Sequence, residues 1–559
     1  MLRWASYIFI MLLAAPILLG TLLASLPAFG YFPPLDSYRF SLDAWRQLIE
    51  VPGITQSVLI SLLCGVLTPL IALTLVFLYL ASASGSRLDN WIRRLISPLL
   101  SFPHAAAAFG LAFLIAPSGL LSRALSPGLS GWERPPDLLI VNDTWGLSLM
   151  LGLVVKEVPF LLLMSLAALP QLQPVPRIAV ARSLGYRPTI AWLKVIAPSL
   201  YPLVRLPVFA VIVFASATVD VALILGPTLP PTLSVRVLAW FNDPNMGLRF
   251  LAAAGALAQL ATSLLAVTIW LALERICRLL WRLYLAAGDR NTGERVAYIL
   301  GRTAMPAVLL IISGSLLALL MNAFAGPWRY PSILPSTWTL QHWANSYQDL
   351  LTPLFNTLTV SICSTLIALM LVIATLESEG QPAKRNLTPV WILYLPLLIP
   401  QVVFLFGIIV LTEFGRWQAS MSLVVFGHLL FVIPYVFLSL SAAYRQLDPR
   451  WSQVAATLGA SQSKTFWRVR VPLLLAPCLT AVAIGMAISI SLYLPTQLLG
   501  AGRITTITSE AVALTSGASR NLISVWAIVQ LGLPMLGFVA ALSIPRLVWR
   551  NRIGMQEIR

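Results

Sequence analysis

Charged side chains are scarce in this chain. Asp, Glu, Lys and Arg together make up 10% of its 559 residues, against 58% apolar residues, and histidine occurs three times. With a mean hydropathy of +0.85, a water-soluble domain is excluded, because so much apolar surface exceeds what a buried core takes up. The histidines stand far apart, at 104, 342 and 428. They make no cluster with Asp or Glu of the kind a membrane enzyme acting on lipid needs. Cys64, Cys277, Cys363 and Cys478 have no CxxC spacing and read as small apolar fillers, with no metal site. There is no GxxxxGK[ST] phosphate loop, no HExxH and no paired-carboxylate constellation. The chain has no visible means of hydrolysing ATP and calls for no cofactor of its own.

What it has in abundance is long apolar runs. Twelve are expected to span a bilayer: 6–28, 55–82, 96–116, 146–169, 203–226, 250–273, 303–325, 355–376, 388–411, 421–443, 474–498 and 522–545. Each can cross roughly 30 Å of hydrocarbon, and each is predicted helical because lipid satisfies no free backbone group. The first run exceeds the core of a signal peptide and is kept as a span. With the N-terminus in the cytoplasm, the cytoplasmic segments hold 25 Lys and Arg against 8 Asp and Glu, a difference equal to the whole net charge of +17. This bias sets both termini inside. It explains the basic composition by membrane topology and lipid headgroups, and no nucleic-acid partner is expected.

The chain reads as two six-helix halves in the same orientation, 1–273 and 303–559, joined by a basic connector, 274–302. The connector's first part is expected to be an interfacial amphipathic helix, and Gly288-Asp289 a turn. Pro98, Pro103 and Gly110 recur, slightly closer together, as Pro396, Pro400 and Gly407. Pro159 recurs as Pro434, and Leu225-Gly226 as Leu499-Gly500. Such a parallel repeat relates the halves by an axis along the membrane normal.

The most distinctive repeat is polar. RIAVARSLGYRPTIAWLKVIAP, 177–198, matches WSQVAATLGASQSKTFWRVRVP, 451–472, at an offset of 274 residues. Each copy is read as a short helix, a glycine (Gly185 or Gly459) that ends it, and a second helix ending at Pro198 or Pro472. A basic anchor on lipid headgroups would need no such duplicated form. A pair of rigid projecting elements suits a two-fold partner.

This pattern resembles the EAA-x3-G loop of permease subunits of bacterial ATP-binding-cassette importers. The duplicated layout, covering nearly the whole chain, resembles fused permeases of iron(III), thiamine and putrescine-type uptake systems. The resemblance implies an all-α polytopic protein of the bacterial inner membrane that moves a small solute inward. It implies two copies of a separate cytosolic ATPase, and a solute-binding protein on the outer face. Carried over by position, the ATPase-coupling residues are Ala179, Ala181, Leu184, Gly185 and Pro198, with Gln453, Ala455, Leu458, Gly459 and Pro472. The chain departs from the pattern in having Ala179 and Gln453 where the family has Glu, and Val180 and Val454 where it has Ala. By the same resemblance, 227–238 and 501–512 belong to an outer gate.

Three polar residues inside spans are candidates for the translocation pathway: Glu157, beside Lys156; Asp220; and His428. Each has an alternative reading as a packing residue that orients its helix, strongest for His428. Asp220 on a central cavity would suit a cationic substrate. The rival function is a gradient-driven secondary transporter with two six-helix halves. Two intramembrane carboxylates are few for a proton relay, and the duplicated loops have no place in it.

Overall fold

In a computed structural model, residues 4–87, 89–93, 102–286, 288–379 and 390–550 are described. Pro98 and the beginnings of the expected spans 96–116 and 388–411 lie outside them. Among the described residues the regular structure is helical, with two isolated bridges, Phe32 to Ser37 and Ala325 to Trp338.

The first half comprises α1 (Ala5–Ala28), α2 (Ile54–Ala83), α3 (His104–Ile115), α4 (Leu147–Ala168), the loop helices α5 (Pro174–Ser183) and α6 (Pro188–Val195), α7 (Ala197–Ala217), the short α8 (Asp220–Leu225) and α9 (Leu233–Phe241), and α10 (Leu248–Ala286). The second comprises α11 (Glu294–Phe324), α12 (Gln341–Glu379), α13 (Gln401–Phe414), α14 (Met421–Arg445), the loop helices α15 (Pro449–Thr457) and α16 (Gln462–Thr465), α17 (Leu475–Ser491), the short α18 (Leu494–Gly500) and α19 (Ile507–Ala513), and α20 (Arg520–Val548). Ten helices are long and apolar enough to cross a membrane among the described residues. Two further expected spans take other forms: α13 is a short apolar helix, and α17 is bent by 71° from the segment Gln462–Leu473 before it.

Three expectations need correction. The spans 203–226 and 474–498 are not continuous. Helix α7 stops at Ala217 and α17 at Ser491, and Thr218 and Leu492 adopt extended backbone before α8 and α18 resume. Threonine, valine and tyrosine at the breaks are weaker helix formers than the alanines and leucines around them. The carbonyls freed there find side chains of neighbouring helices, as lipid-depth backbone must. Gln259 donates to Ser216 O at 3.0 Å, Ser234 donates to Thr218 O at 2.9 Å, and Thr508 donates to Ile490 O. Second, the start of the connector is no separate interfacial helix, because α10 continues unbroken through 39 residues to Ala286. Third, Pro198 does not end the second loop helix but sits in the first turn of α7, where a missing N–H costs nothing, whereas Pro472 lies one residue before the end of the segment Gln462–Leu473.

Glycines set how the halves meet. A Cβ on Gly407 would lie 1.6 Å from Gly20 O, and one on Gly20 would lie 2.4 Å from Phe404 O, so α1 crosses α13 backbone to backbone. Likewise a Cβ on Gly301 would lie 2.1 Å from Leu78 O, and one on Gly110 2.8 Å from Ser315 O, pressing α11 onto α2 and α3. The leading helix of each half therefore packs on the other half. Close approach through small residues is how membrane helices gain contact, since lipid tails are as apolar as leucine. One buried cluster runs through both halves, joining Phe109, Leu153 and Leu225 to Phe404, Phe431 and Leu499.

Candidate functional site

The two basic loops share one geometry. In the first, Gly185 has φ +90° and in the second Gly459 has φ +78°, a backbone open to glycine at little cost. Around each, the N–H of the glycine bonds back three residues (Gly185 to Arg182 O, Gly459 to Ala456 O). The next N–H bonds back five (Tyr186 to Ala181 O, Ala460 to Ala455 O). These paired bonds close the helix end and satisfy its last carbonyls. They hold Ala181 and Ala455 buried on the inner face. On the outer face stand apolar side chains at equivalent positions: Val180 is 63% and Leu184 59% exposed, and Val454 is 54% and Leu458 82% exposed. Ala179 and Gln453 lie on the same two loop helices, one residue before the exposed valines. The two turns thus expose apolar side chains at matching positions.

The surroundings of the loops differ. Glu294, at the start of α11, accepts the N–H of Ile190 at 2.9 Å and of Thr189 at 3.4 Å, capping α6 from the connector side. Lys194 donates to Asp289 O and lies 4.0 Å from the Tyr284 ring centroid. Arg290 lies against Gly185. The second loop is tied within its own half, where Arg470 donates to both oxygens of Glu377 at 2.7 Å and Tyr444 donates to the same carboxylate.

Between the halves lies a cavity of about 200 Å³. Two of the three polar candidates are on its wall, Glu157 from α4 and Asp220 from the α7–α8 break. Glu157 is 5% exposed and, among the described residues, takes part in no hydrogen bond. Asp220 accepts a hydrogen bond from Thr218 at 3.0 Å. Lys156 reaches the same cavity but donates to Phe102 O. His428 stands apart from them. It is buried between Ser489 and Thr496, with ring nitrogens 2.8 Å from each hydroxyl, and so bridges the α17–α18 break.

The second half contributes Phe431, Tyr435 and Tyr493 to the cavity, residues not singled out in the sequence. A signal existed, since Tyr435 follows Pro434 as Phe160 follows Pro159, and Phe160 is also on the wall. The expected gate segments fold as α9 and α19, which begin 274 residues apart.

The family model described as binding-protein-dependent transport system inner membrane component matches residues 344–548. The chain is 33% identical over 528 residues to the inner membrane ABC transporter permease protein YnjC of Escherichia coli, covering 93% of this chain and 94% of that one. A protein of Salmonella typhimurium named for 2-aminoethylphosphonate transport, the permease PhnV, is 29% identical over 180 residues, 31% of this chain and 66% of its own length. The molybdenum transport system permease protein ModB of Mycobacterium tuberculosis is 29% identical over 170 residues, 28% of this chain and 62% of its own. With spans, loops and a near full-length relative in agreement, the chain belongs to the binding-protein-dependent transport permeases of the inner membrane, as a transmembrane subunit of an ABC importer.

Proposed function

We propose that the two loops are the sites at which two copies of a cytosolic ATPase grip this permease. The observation that carries this reading is the repeated outer face of the loop helices, Val180 with Leu184 and Val454 with Leu458, on turns closed by Gly185 and Gly459. Ala179, Gln453 and the buried Ala181 and Ala455 set the helices on which these side chains stand. Pro198 starts, and Pro472 closely precedes, the helices that carry motion inward. On this reading the basic face and both termini are cytoplasmic, and a solute-binding protein delivers substrate to the opposite face near α9 and α19. Closure of the ATPase dimer pulls the loops together and rocks the halves about the central cavity, whose wall includes Glu157 and Asp220. Energy enters through the partner's ATP cycle, and this chain supplies geometry alone, with no cofactor.

The test is a pull-down of the solubilised chain with its ATPase, comparing wild type with a Val180→Asp, Leu184→Asp, Val454→Asp, Leu458→Asp variant. All four side chains are exposed, so the fold is expected to survive. At least a tenfold weaker association is expected, about 1.4 kcal/mol. Unchanged association by a folded variant would sink the proposal.

A further inference from the structure

The cavity has a chemical character that the importer assignment leaves open. Its wall carries two carboxylates, Glu157 and Asp220, and one ammonium, Lys156, already engaged by the Phe102 carbonyl. Both carboxylates come from the first half. The residues in register with them in the second half are Val432, counted from the Pro159 and Pro434 pair, and Leu494, counted at the loop offset. The negative charge is therefore lopsided, while aromatic rings come from both sides: Phe160 from the first half, and Phe431, Tyr435 and Tyr493 from the second. Glu157 points to a ligand independently of the cluster. It is nine-tenths buried and faces the cavity without a hydrogen bond among the described residues. A carboxylate so placed at bilayer depth is costly unless something cationic meets it; Lys156 beside it offsets part of that charge, and with Asp220 a second carboxylate on the wall remains for a bound cation. Ring faces carry negative electrostatic potential and attract a cation within about 6 Å of the ring centroid, most strongly where water is excluded.

We propose that this cavity takes a small organic cation, held by Glu157 and Asp220 and by the faces of Phe160, Phe431, Tyr435 and Tyr493. The aromatic lining favours an alkylated ammonium over a bare metal ion, which would demand more oxygen ligands than two carboxylates supply. An anion would meet two carboxylates against one ammonium among the described residues of the wall, Lys156, which donates to a backbone carbonyl. The inference rests on the cavity being the translocation path, but its test needs no ATPase, so failure of the loop proposal and failure of this one are read in separate experiments.

The experiment is a scintillation-proximity binding assay on the solubilised full chain with tritiated choline, competed by tetramethylammonium, phosphate, molybdate and manganese(II). Saturable choline binding displaced by tetramethylammonium and not by the anions is expected. Glu157→Gln and Asp220→Asn are each expected to weaken it at least tenfold. Tyr435→Leu and Tyr493→Leu are expected to weaken it roughly threefold to thirtyfold, while Tyr435→Phe keeps the ring and the affinity. Each variant is used only if its melting temperature matches wild type. Displacement by phosphate or molybdate would overturn the proposal. So would displacement by manganese(II) at lower concentration than tetramethylammonium, choline binding indifferent to both carboxylate substitutions, or no choline binding by folded wild-type chain.

Discussion

At Gly407 there is no room for even one methyl group, because the carbonyl of Gly20 occupies its place. At Gly459 there is open space, and only the positive φ opposes a side chain. The two glycines separate packing from backbone strain. Gly407→Ala is expected to cost about 1–3 kcal/mol or more, as overpacking does. Gly459→Ala is expected to cost about 1–2 kcal/mol, the penalty of a left-handed L-residue. Thermal unfolding of both variants in one detergent checks the order.

Asp89 offers a residue-scale prediction in pH. It lies between α2 and α3 and accepts hydrogen bonds from Tyr79 Oη at 2.8 Å, Gly85 N at 2.9 Å and Arg93 Nε at 2.9 Å. Burial by itself would raise its pKa, but these bonds and the Arg93 charge outweigh it and hold the carboxyl below the ordinary aspartate range. A depressed folded pKa stabilises the fold fully above the unfolded value, about 3.9, and the contribution is lost as pH falls through the lower folded value. Asp89→Asn is therefore expected to lower stability at neutral pH. Its gap from wild type should hold down to about pH 5 and shrink below about pH 4. Paired melting curves across that range measure it.

At the scale of elements, the first loop is buttressed from outside itself. Helix α6 begins with Pro188 and has no cap within its own segment. Its free N–H groups at Thr189 and Ile190 are taken by Glu294, more than a hundred residues later in the chain. In the second loop Ser461 caps its own helix through the Lys464 N–H. Glu294→Ala is expected to cost about 0.5–2 kcal/mol, the range of lost caps. It should speed amide exchange at Thr189 and Ile190 while leaving 461–465 unchanged. Equal acceleration in both loops would contradict this account.

These elements also show what could be read from the sequence. The loop turns were legible because a glycine ending a helix is a local requirement and recurs at a fixed offset; the proline thirteen residues on was legible as a boundary, but in the first loop it opens α7 where it was expected to end a helix. Most spans were legible because lipid enforces one secondary structure on any long apolar run. The breaks at Thr218 and Leu492 were not, because nothing in the hydropathy changes there. They depend on Gln259, Ser234 and Thr508 arriving from other helices to take up the freed carbonyls. The Glu294 cap was hidden for the same reason, since its partner is set by tertiary placement. Of the polar residues inside spans, Glu157 and Asp220 share a cavity and His428 does not. Hydropathy alone cannot distinguish a polar residue facing a cavity from one hydrogen-bonded between helices.

At the scale of the molecule, the halves are joined more firmly by packing than by the chain between them. Helix α1 lies on α13 and α11 on α2 and α3, while Arg249 of α10 pairs with Glu413 of α13 at the end away from the loops. Between α10, ending at Ala286, and α11, starting at Glu294, the described residues 288–293 form a turn. A protease site inserted between Gly288 and Asn291 and then cut is expected to leave two fragments that co-elute on size exclusion in mild detergent. Separation of the fragments would show that the exchanged helices contribute little.

The exchange of leading helices also imposes an order on biogenesis. Gly20 leaves the ribosome roughly 390 residues before Gly407, the residue it must meet, which at about 5–20 residues per second is on the order of twenty to eighty seconds. For that interval α1 is inserted without α13, although α10, which it also packs against, emerges earlier. The nascent chain must keep the Gly20 face of its first helix uncovered by protein, shielded by lipid or by the insertion machinery, until the ninth span arrives to close over it.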